Sequence, residues 1–303
     1  MRMVFMGGHK LGKDTLQYLI DKRKDIIAVV TNIENDWYTG VDEVAEKNGL
    51  LLYKNVDVNS ESFINEITAL KPDLIVVVNF QQILKEQLIN IPQRGCINTH
   101  AALLPKYRGR APLNWAVIHG ERQVGVTVHY IEKGIDTGDI IIQKSIDIGD
   151  EEYIDSVLEK VKDVYPTVVN NAVNLIQSGD FVRIKQDLSK GNYFGKRTPE
   201  DGQINWNNNT KDIFNLIRAI SKPYPGAFSF CNNSRLIIWR AEVINQKEEE
   251  SLLPNGYIIT INKSGICVKT KNDNILITEY DMIDKTQIIE NGQILKFKET
   301  KNV

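Results

Sequence analysis

Residues 74–80 read LIVVVNF, an apolar run that stays unbroken up to Asn79. A strand with one face in water alternates apolar and polar residues. A run that is apolar throughout is covered on both faces, so this one is predicted to be a central strand of a parallel sheet. Upstream, residues 3–6, 26–31 and 50–53 form further apolar runs, and helical patterns separate them. One pattern passes through Leu16, Leu19 and Ile20; the others cover residues 40–47 and 60–70. Strand and helix in alternation predict an α/β fold with a mostly parallel sheet and helices on both faces. Ligands in such sheets gather at the carboxyl ends of strands, which puts Asn79, Phe80, Gln81, Gln82 and Ile83 at a candidate binding edge. The first strand ends on a second candidate turn, Gly7, Gly8, His9, Lys10, Leu11 and Gly12. Its glycines lack the GxGxxG spacing of a dinucleotide site, so a tight structural turn is the plainer reading. Gly8 and His9 are its candidates for contact with a ligand.

Downstream, residues 97–139 hold the densest chemistry in the chain: INTHAALLPKYRGRAPLNWAVIHGERQVGVTVHYIEKGIDTGD. Residues 96–100 read as the end of a buried strand. Side chains two apart share a face there, so Asn98 and His100 project together. The loop that follows combines Pro105 and Gly109 with Lys106, Tyr107, Arg108 and Arg110, a shaped cationic turn suited to an anion. Pro112 fits the first turn of a helix and Gly120 its stop. A hairpin of residues 124–131 and 139–146 is predicted next, with Asp136 in the connection between its strands.

The charge is balanced, with 37 Lys and Arg against 39 Asp and Glu and a formal net charge of -2, which provides no global field for nucleic acid or an anionic membrane. A hydrophobic content of 42% and a charged content of 25% are those of an ordinary globular protein, with length enough for one large or two moderate domains. Cys96, Cys231 and Cys267 are far apart and odd in number, which argues against a disulfide framework and for a reducing compartment. No ligand spacing suggests a metal. The opening MRMVFMGG is too short an apolar run for a signal peptide, and a cytoplasmic location is expected.

HAALLPKYRGRAPLNWAVIHGE followed by GVTVHYIEKGIDTGDII resembles the signatures of the N10-formyltetrahydrofolate-dependent formyltransferases. The resemblance implies a catalytic trio of Asn98, His100 and Asp136. Ala102 stands where the family carries a serine, so any role of that hydroxyl is absent here. The chemistry suits these residue types. Amine attack on a formyl carbonyl develops an oxyanion, which the Asn98 amide can stabilise. It also leaves an ammonium that must lose a proton, and an imidazole near neutrality, His100, can take it. Asp136 then orients the ring and stabilises its charged form. The resemblance further implies N10-formyltetrahydrofolate as formyl donor, held by Asn79, Phe80, Gln81, Gln82, Ile83, Asp136 and Asp139, with no metal. Gly8, His9, Lys106, Tyr107, Arg108 and Arg110 are the expected acceptor contacts, the cations on its phosphates. His119 and His129 are read as structural residues, and Cys96, inside a buried strand, is not read as a nucleophile.

Residues 151–178 read as one helix, with a kink or break expected at Pro166. The segment YFGKRTPEDGQINW at 193–206 is turn-rich, a helix covers residues 211–221, and short strands follow: RLIIWRAEVI, GYIITI, GICVKT, NILITEY and GQILKF. Strand richness alone allows any compact β-structure; the resemblance implies an OB-like domain. The expected organisation is a Rossmann-like catalytic domain over residues 1–192, a connector over 193–210 and a smaller OB-like C-terminal domain over 211–303.

Methionyl-tRNA formyltransferases share the fold and trio but usually carry a longer basic insertion after the second strand. Here that place holds the short acidic NIENDWYTGVDEVAEKNGL. The KYRGRAPLNW and FGKRTPEDG segments look most like enzymes that formylate amino sugars on nucleotides, including the formyltransferase half acting on UDP-4-amino-4-deoxy-L-arabinose. The expected acceptor is a nucleotide-linked amino sugar destined for an O-antigen or another surface polysaccharide, with no nucleic acid or membrane partner and a homodimer as the expected assembly. The alternatives are methionyl-tRNA as acceptor, or a non-catalytic module that binds folate or nucleotide on the same scaffold.

Overall fold

A computed structural model describes residues 1–32, 40–232 and 234–298. The chain folds as two compact units. The first comprises Met1–Pro112, Val124–Ile146 and Glu159–Phe194; the second comprises Leu113–Gln123, Asp147–Leu158 and Gly195–Val303.

The first unit is built on β1 (Met3–Gly7), β2 (Ile26–Thr31), β3 (Leu51–Lys54), β4 (Leu74–Val78) and β5 (Cys96–His100). Its intervening helices are α1 (His9–Asp21), α2 (Val41–Lys47), α3 (Glu61–Leu70) and the short α4 (Glu86–Ile89). The strand order β3-β2-β1-β4-β5 is parallel throughout. The chain therefore reverses its direction of travel between β1 and β4, and their carboxyl ends lie side by side, with the Gly8 N–H donating to the Val78 carbonyl at 3.2 Å. Such a reversal opens a crevice beyond the strand ends. The expected central strand is in place, with every β4 residue buried. β3 begins one residue later than expected and leaves Leu51 46% exposed, because it is the sheet edge.

Two strands extend the sheet beyond β5: β7 (Gln123–Tyr130) and β8 (Ile140–Asp147). β7 is antiparallel to β5, with Asn98 opposite His129 and His100 opposite Thr127. Between them lie β6 (Arg108–Gly109) and α5 (Pro112–Ile118). The expected kink or break at Pro166 gives no break: α6 runs uninterrupted over Ile154–Ser178. Its apolar face, including Val161, Tyr165, Val168, Val169, Val173 and Ile176, is buried. That packing outweighs one lost backbone hydrogen bond. Tyr193 and Phe194, read from sequence as the start of a connector, form β9 and pair in parallel with β6.

In the second unit, α7 (Thr210–Ile220) precedes β10 (Ala227–Cys231), β11 (Ser234–Ile244), β12 (Ile258–Asn262), β13 (Gly265–Lys269) and β14 (Asn274–Met282). These make an antiparallel sheet in the order β10-β11-β14-β13-β12. GQILKF forms no paired strand of its own. It bridges the two sheet edges: Lys296 N–H donates to the Phe230 carbonyl at 2.8 Å, and Leu295 N–H to the Gly256 carbonyl at 2.8 Å. Backbone groups at both edges thus find partners, as a small closed β-structure requires. All three cysteines are buried and unpaired. Among the described residues no helix is long and apolar enough to cross a membrane.

Candidate active site

Asn98, His100 and Asp136 meet at the end of β5. The first two come from one strand at two-residue spacing, and Asp136 comes from the connection between β7 and β8. Asp136 has φ 53, a left-handed conformation that aspartate and asparagine adopt more readily than most residues other than glycine, and this turn brings its carboxylate back over the strand end. One oxygen, Oδ2, accepts from the Gly109 N–H at 2.9 Å and lies 3.6 Å from His100 Nδ1. The other, Oδ1, lies 3.3 Å from Asn98 Nδ2 and 3.4 Å from His129 Nε2.

The partners of His100 fix its tautomer. Nε2 is 2.8 Å from the Tyr107 carbonyl, which can only accept, so Nε2 carries the hydrogen. In the neutral ring the lone pair therefore sits on Nδ1, facing the carboxylate across a gap too long for a hydrogen bond. Burial pulls the His100 pKa below its ordinary 6.5, against the Asp136 charge and the Tyr107 carbonyl, which raise it. A proton that arrives at Nδ1 gains a carboxylate neighbour. Burial on its own would raise the Asp136 carboxyl, but the two histidines beside it and the Gly109 N–H bring it down to about 2. Asp136 is thus ionised throughout the working range.

His129, read from sequence as structural, is part of this constellation. It stands directly across the β5–β7 ladder from Asn98, and its Nε2 is 3.3 Å from Asn98 Nδ2. Its Nδ1 donates to the Tyr130 carbonyl at 2.8 Å. With Nε2 as acceptor in the neutral ring, the two Asn98 amide hydrogens point at His129 and at Asp136. This contact fixes which end of the carboxamide faces the carboxylate.

Ala102 is buried where the resemblance would place a serine, and its carbonyl accepts from Thr127 Oγ1 at 2.6 Å. Burial pushes the Cys96 thiol up to about 12, which leaves it inert as a nucleophile. His119 stacks on Trp115, with ring centroids 5.8 Å apart.

The expected binding residues divide by environment. In the loop after β4, the Gln82 side chain is tied to the backbone of the loop after β3, donating to the Val56 carbonyl at 2.7 Å and accepting from Val58 N–H at 3.1 Å. Asn59 Nδ2 holds the Ile83 carbonyl at 3.0 Å. The loop therefore has a fixed shape, with Asn79 and Gln81 exposed and Ile83 73% exposed. Asp139 is half-buried at the foot of the β7–β8 connection, where its carbonyl accepts from Tyr130 N–H at 2.9 Å. Gly8 and His9 lie at the carboxyl end of β1, Gly8 buried and His9 half-buried with φ 61. Lys106 and Arg110 are exposed; Arg108 is half-buried, and its Nε is buried without a hydrogen-bond partner. Tyr107 is 7% exposed and its ring stacks on Phe194 at 5.7 Å, so it meets His100 through its carbonyl. Among the described residues no cluster of three or more His, Cys, Asp or Glu side chains is placed to hold a metal ion.

Comparison with known proteins identifies the family. Residues 1–173 match the formyl transferase family and residues 196–292 match the formyl transferase C-terminal domain. The chain is 33% identical to the methionyl-tRNA formyltransferase of Clostridioides difficile, over 98% of this chain and 96% of that one. It is 36% identical to the methionyl-tRNA formyltransferase of Citrifermentans bemidjiense, over 95% and 91%. Among solved structures, an N-formyltransferase from Helicobacter canadensis in complex with folinic acid and dTDP-3-aminofucose superposes with a TM-score of 0.71 at 20% identity, covering 91% of this chain and 98% of that one. With two formyl transferase models matched one after the other along the chain, and an amide, an imidazole and a carboxylate converging at the end of β5, the chain belongs to the formyl transferase family.

Proposed function

We propose that this enzyme moves a formyl group from N10-formyltetrahydrofolate to the primary amine of a nucleotide-linked deoxy sugar. The observation that carries the acceptor is Arg108. Its Nε is buried without a partner one residue from Gly109, whose N–H holds Asp136. A half-buried guanidinium in the catalytic loop, with exposed Lys106 and Arg110 beside it, suits a compact anion such as a diphosphate. The fixed loop at residues 79–83, at the carboxyl end of β4, suits the flat ring of the donor, read by backbone groups.

The donor supplies an activated formyl carbonyl. The Asn98 amide hydrogen that rests on His129 Nε2 leaves it for the carbonyl oxygen as the acceptor nitrogen bonds to the formyl carbon and negative charge builds there. His100 takes the ammonium proton at Nδ1, and Asp136, already ionised, stabilises the imidazolium. His100 then returns that proton to the departing nitrogen, which leaves the ring neutral and the new amide formed.

A second reading is favoured by the whole-chain relatives, which are methionyl-tRNA formyltransferases at 33% and 36% identity. In the second unit Arg235 lies over the Phe228 ring at 4.0 Å and Lys298 over the Phe230 ring at 4.2 Å. Cations beside aromatic rings are a surface that nucleic acids also use. Steady-state kinetics with N10-formyltetrahydrofolate and a panel of nucleotide-linked amino sugars, run beside methionyl-tRNA, separates the two. The expected result is a higher kcat/KM for at least one sugar; a higher value for methionyl-tRNA than for every sugar tested transfers the assignment to the second reading.

A further inference from the structure

Both partners of His100 stand on loops, and one later stretch fastens both loops. After α6 the chain pairs with the start of β8: Ile140 N–H donates to the Ile184 carbonyl at 2.8 Å and Ile184 N–H to the Ile140 carbonyl at 3.0 Å. Two residues on, the buried Gln186 spends both hydrogens of Nε2 on the turn that carries Asp136, reaching the Asp136 carbonyl at 2.9 Å and the Gly138 carbonyl at 2.7 Å. Asp136 holds a left-handed backbone, a conformation that persists when the surroundings over-determine it.

The other end of the stretch fastens the opposite loop. Asn192 Oδ1 accepts from the Tyr107 N–H at 2.9 Å, and the Asn192 carbonyl accepts from the Arg108 N–H at 3.0 Å. β9 then pairs with β6, and Arg110 N–H donates to the Phe194 carbonyl at 2.9 Å. Tyr107 too is left-handed, with φ 57. The seat is close enough to need glycine: a Cβ on Gly191 would lie 1.9 Å from the Pro105 carbonyl oxygen. One continuous segment thus fixes the carboxylate that faces Nδ1 of His100 and the carbonyl that takes the hydrogen of Nε2.

We propose that residues 184–194 are a strap that sets the reach of His100, with Gln186 and Asn192 as positioning residues that act through Asp136 and Tyr107. Gln186 suits the task because one amide nitrogen offers two hydrogens to two carbonyls, and methionine fills the same length with none. The strap matters for rate because formyl transfer needs the base within reach of the acceptor nitrogen, and a misplacement of about 1 Å costs on the order of 100-fold.

The test reads His100 directly. The titratable groups facing it are Asp136, on the loop after β7, and His129, on β7. The Asp136 charge and the Tyr107 carbonyl both raise its pKa, so loosening either loop lowers the midpoint. Ring NMR titration of the full chain, with the His100 signal assigned from its absence in His100→Asn, is expected to show a lower midpoint in Gln186→Met and in Asn192→Leu than in the wild type. Asn192→Asp, which keeps an acceptor for the Tyr107 N–H, is expected to lie closer to the wild type than Asn192→Leu. With a turned-over acceptor, kcat of Gln186→Met falls about 10- to 100-fold while the donor KM moves by less than about threefold. Asn192 is exposed, so its variants carry the test from the other end should Gln186→Met fail to fold. A wild-type midpoint and wild-type kcat in folded variants overturn the proposal. The proposal rests on the formyl-transfer reading only for its kinetic arm: a lowered midpoint in a protein that formylates no amine sinks that reading and leaves the strap in place.

Discussion

Asp136 faces two histidines with one carboxylate, so replacing it with asparagine tests the electrostatics of the whole cluster. Its charge raises the His100 pKa against the larger effect of burial, which lowers it. His100 must be neutral to accept a proton, so kcat/KM rises as pH climbs through its pKa in the free enzyme, and with that pKa below 6.5 the acid limb of kcat/KM lies below that pH. Removing the carboxylate lowers the pKa further. Asp136→Asn is therefore expected to move the acid limb of kcat/KM to lower pH while its plateau drops, because the imidazolium has lost its partner. A pH–rate profile checks this, and a limb that stays put or moves up separates the carboxylate from the proton acceptor. Spacing put Asn98 and His100 on one face of a strand and Asp136 in a loop among turn residues; only the resemblance made a trio of them. His129 was not, because an alternating histidine among apolar neighbours looks like any strand residue. Only the register that sets it opposite Asn98 gives it a place in the site. Tyr107 reads as a ligand contact by composition, and its contribution through a carbonyl is invisible in a side-chain code.

α6 is the element that departs from the sequence rule most openly, since it carries Pro166 through its middle without a break. Pro166 has no N–H for the Lys162 carbonyl four residues back, a defect that costs a helix interior about 3 kcal/mol. Pro166→Ala restores the donor but gives the unfolded chain more freedom, worth about 0.4–1 kcal/mol in the opposite sense. Urea denaturation is expected to show the variant more stable by roughly 2 kcal/mol. A less stable variant would mean that the ring fills a space or sets a bend that the buried face of the helix needs. Element types and order were readable because long runs have a clear pattern: the unbroken apolar run of β4 and the helical spacing through Leu16, Leu19 and Ile20 in α1. The strap and the β6–β9 pair were not. Two-residue strands have no period, and their hydrogen bonds depend on backbone that lies more than eighty residues apart in the chain. The bridging role of residues 293–296 was hidden for the same reason.

At the scale of the whole molecule, charge decides between acceptors through the number of phosphates the surface must neutralise. The chain carries 37 basic and 39 acidic residues. The stretch after β2 adds Glu34, Asp36, Asp42, Glu43 and Glu46 against Lys47. Residues 33–39 of that stretch lie outside the described residues, but Asp42 and Glu46 are already engaged by Lys54, at 3.7 and 2.6 Å, and Glu43 by Lys13 at 3.0 Å. If Arg108 and its neighbours hold a diphosphate as proposed, few counterions are displaced, so the affinity for a sugar nucleotide should fall only modestly as salt rises. A protein that contacts six to ten phosphates loses roughly 1,000- to 100,000-fold between about 50 and 200 mM salt. KM for the best amino-sugar nucleotide, measured across that range, is expected to rise by less than about tenfold, with a log–log slope near that of one or two phosphate contacts. Arg108→Ala should flatten the slope, whereas Arg235→Ala should leave it unchanged. A steep slope with methionyl-tRNA, flattened by Arg235→Ala and Lys298→Ala, would instead place the acceptor's phosphates on the second unit and decide for the nucleic acid.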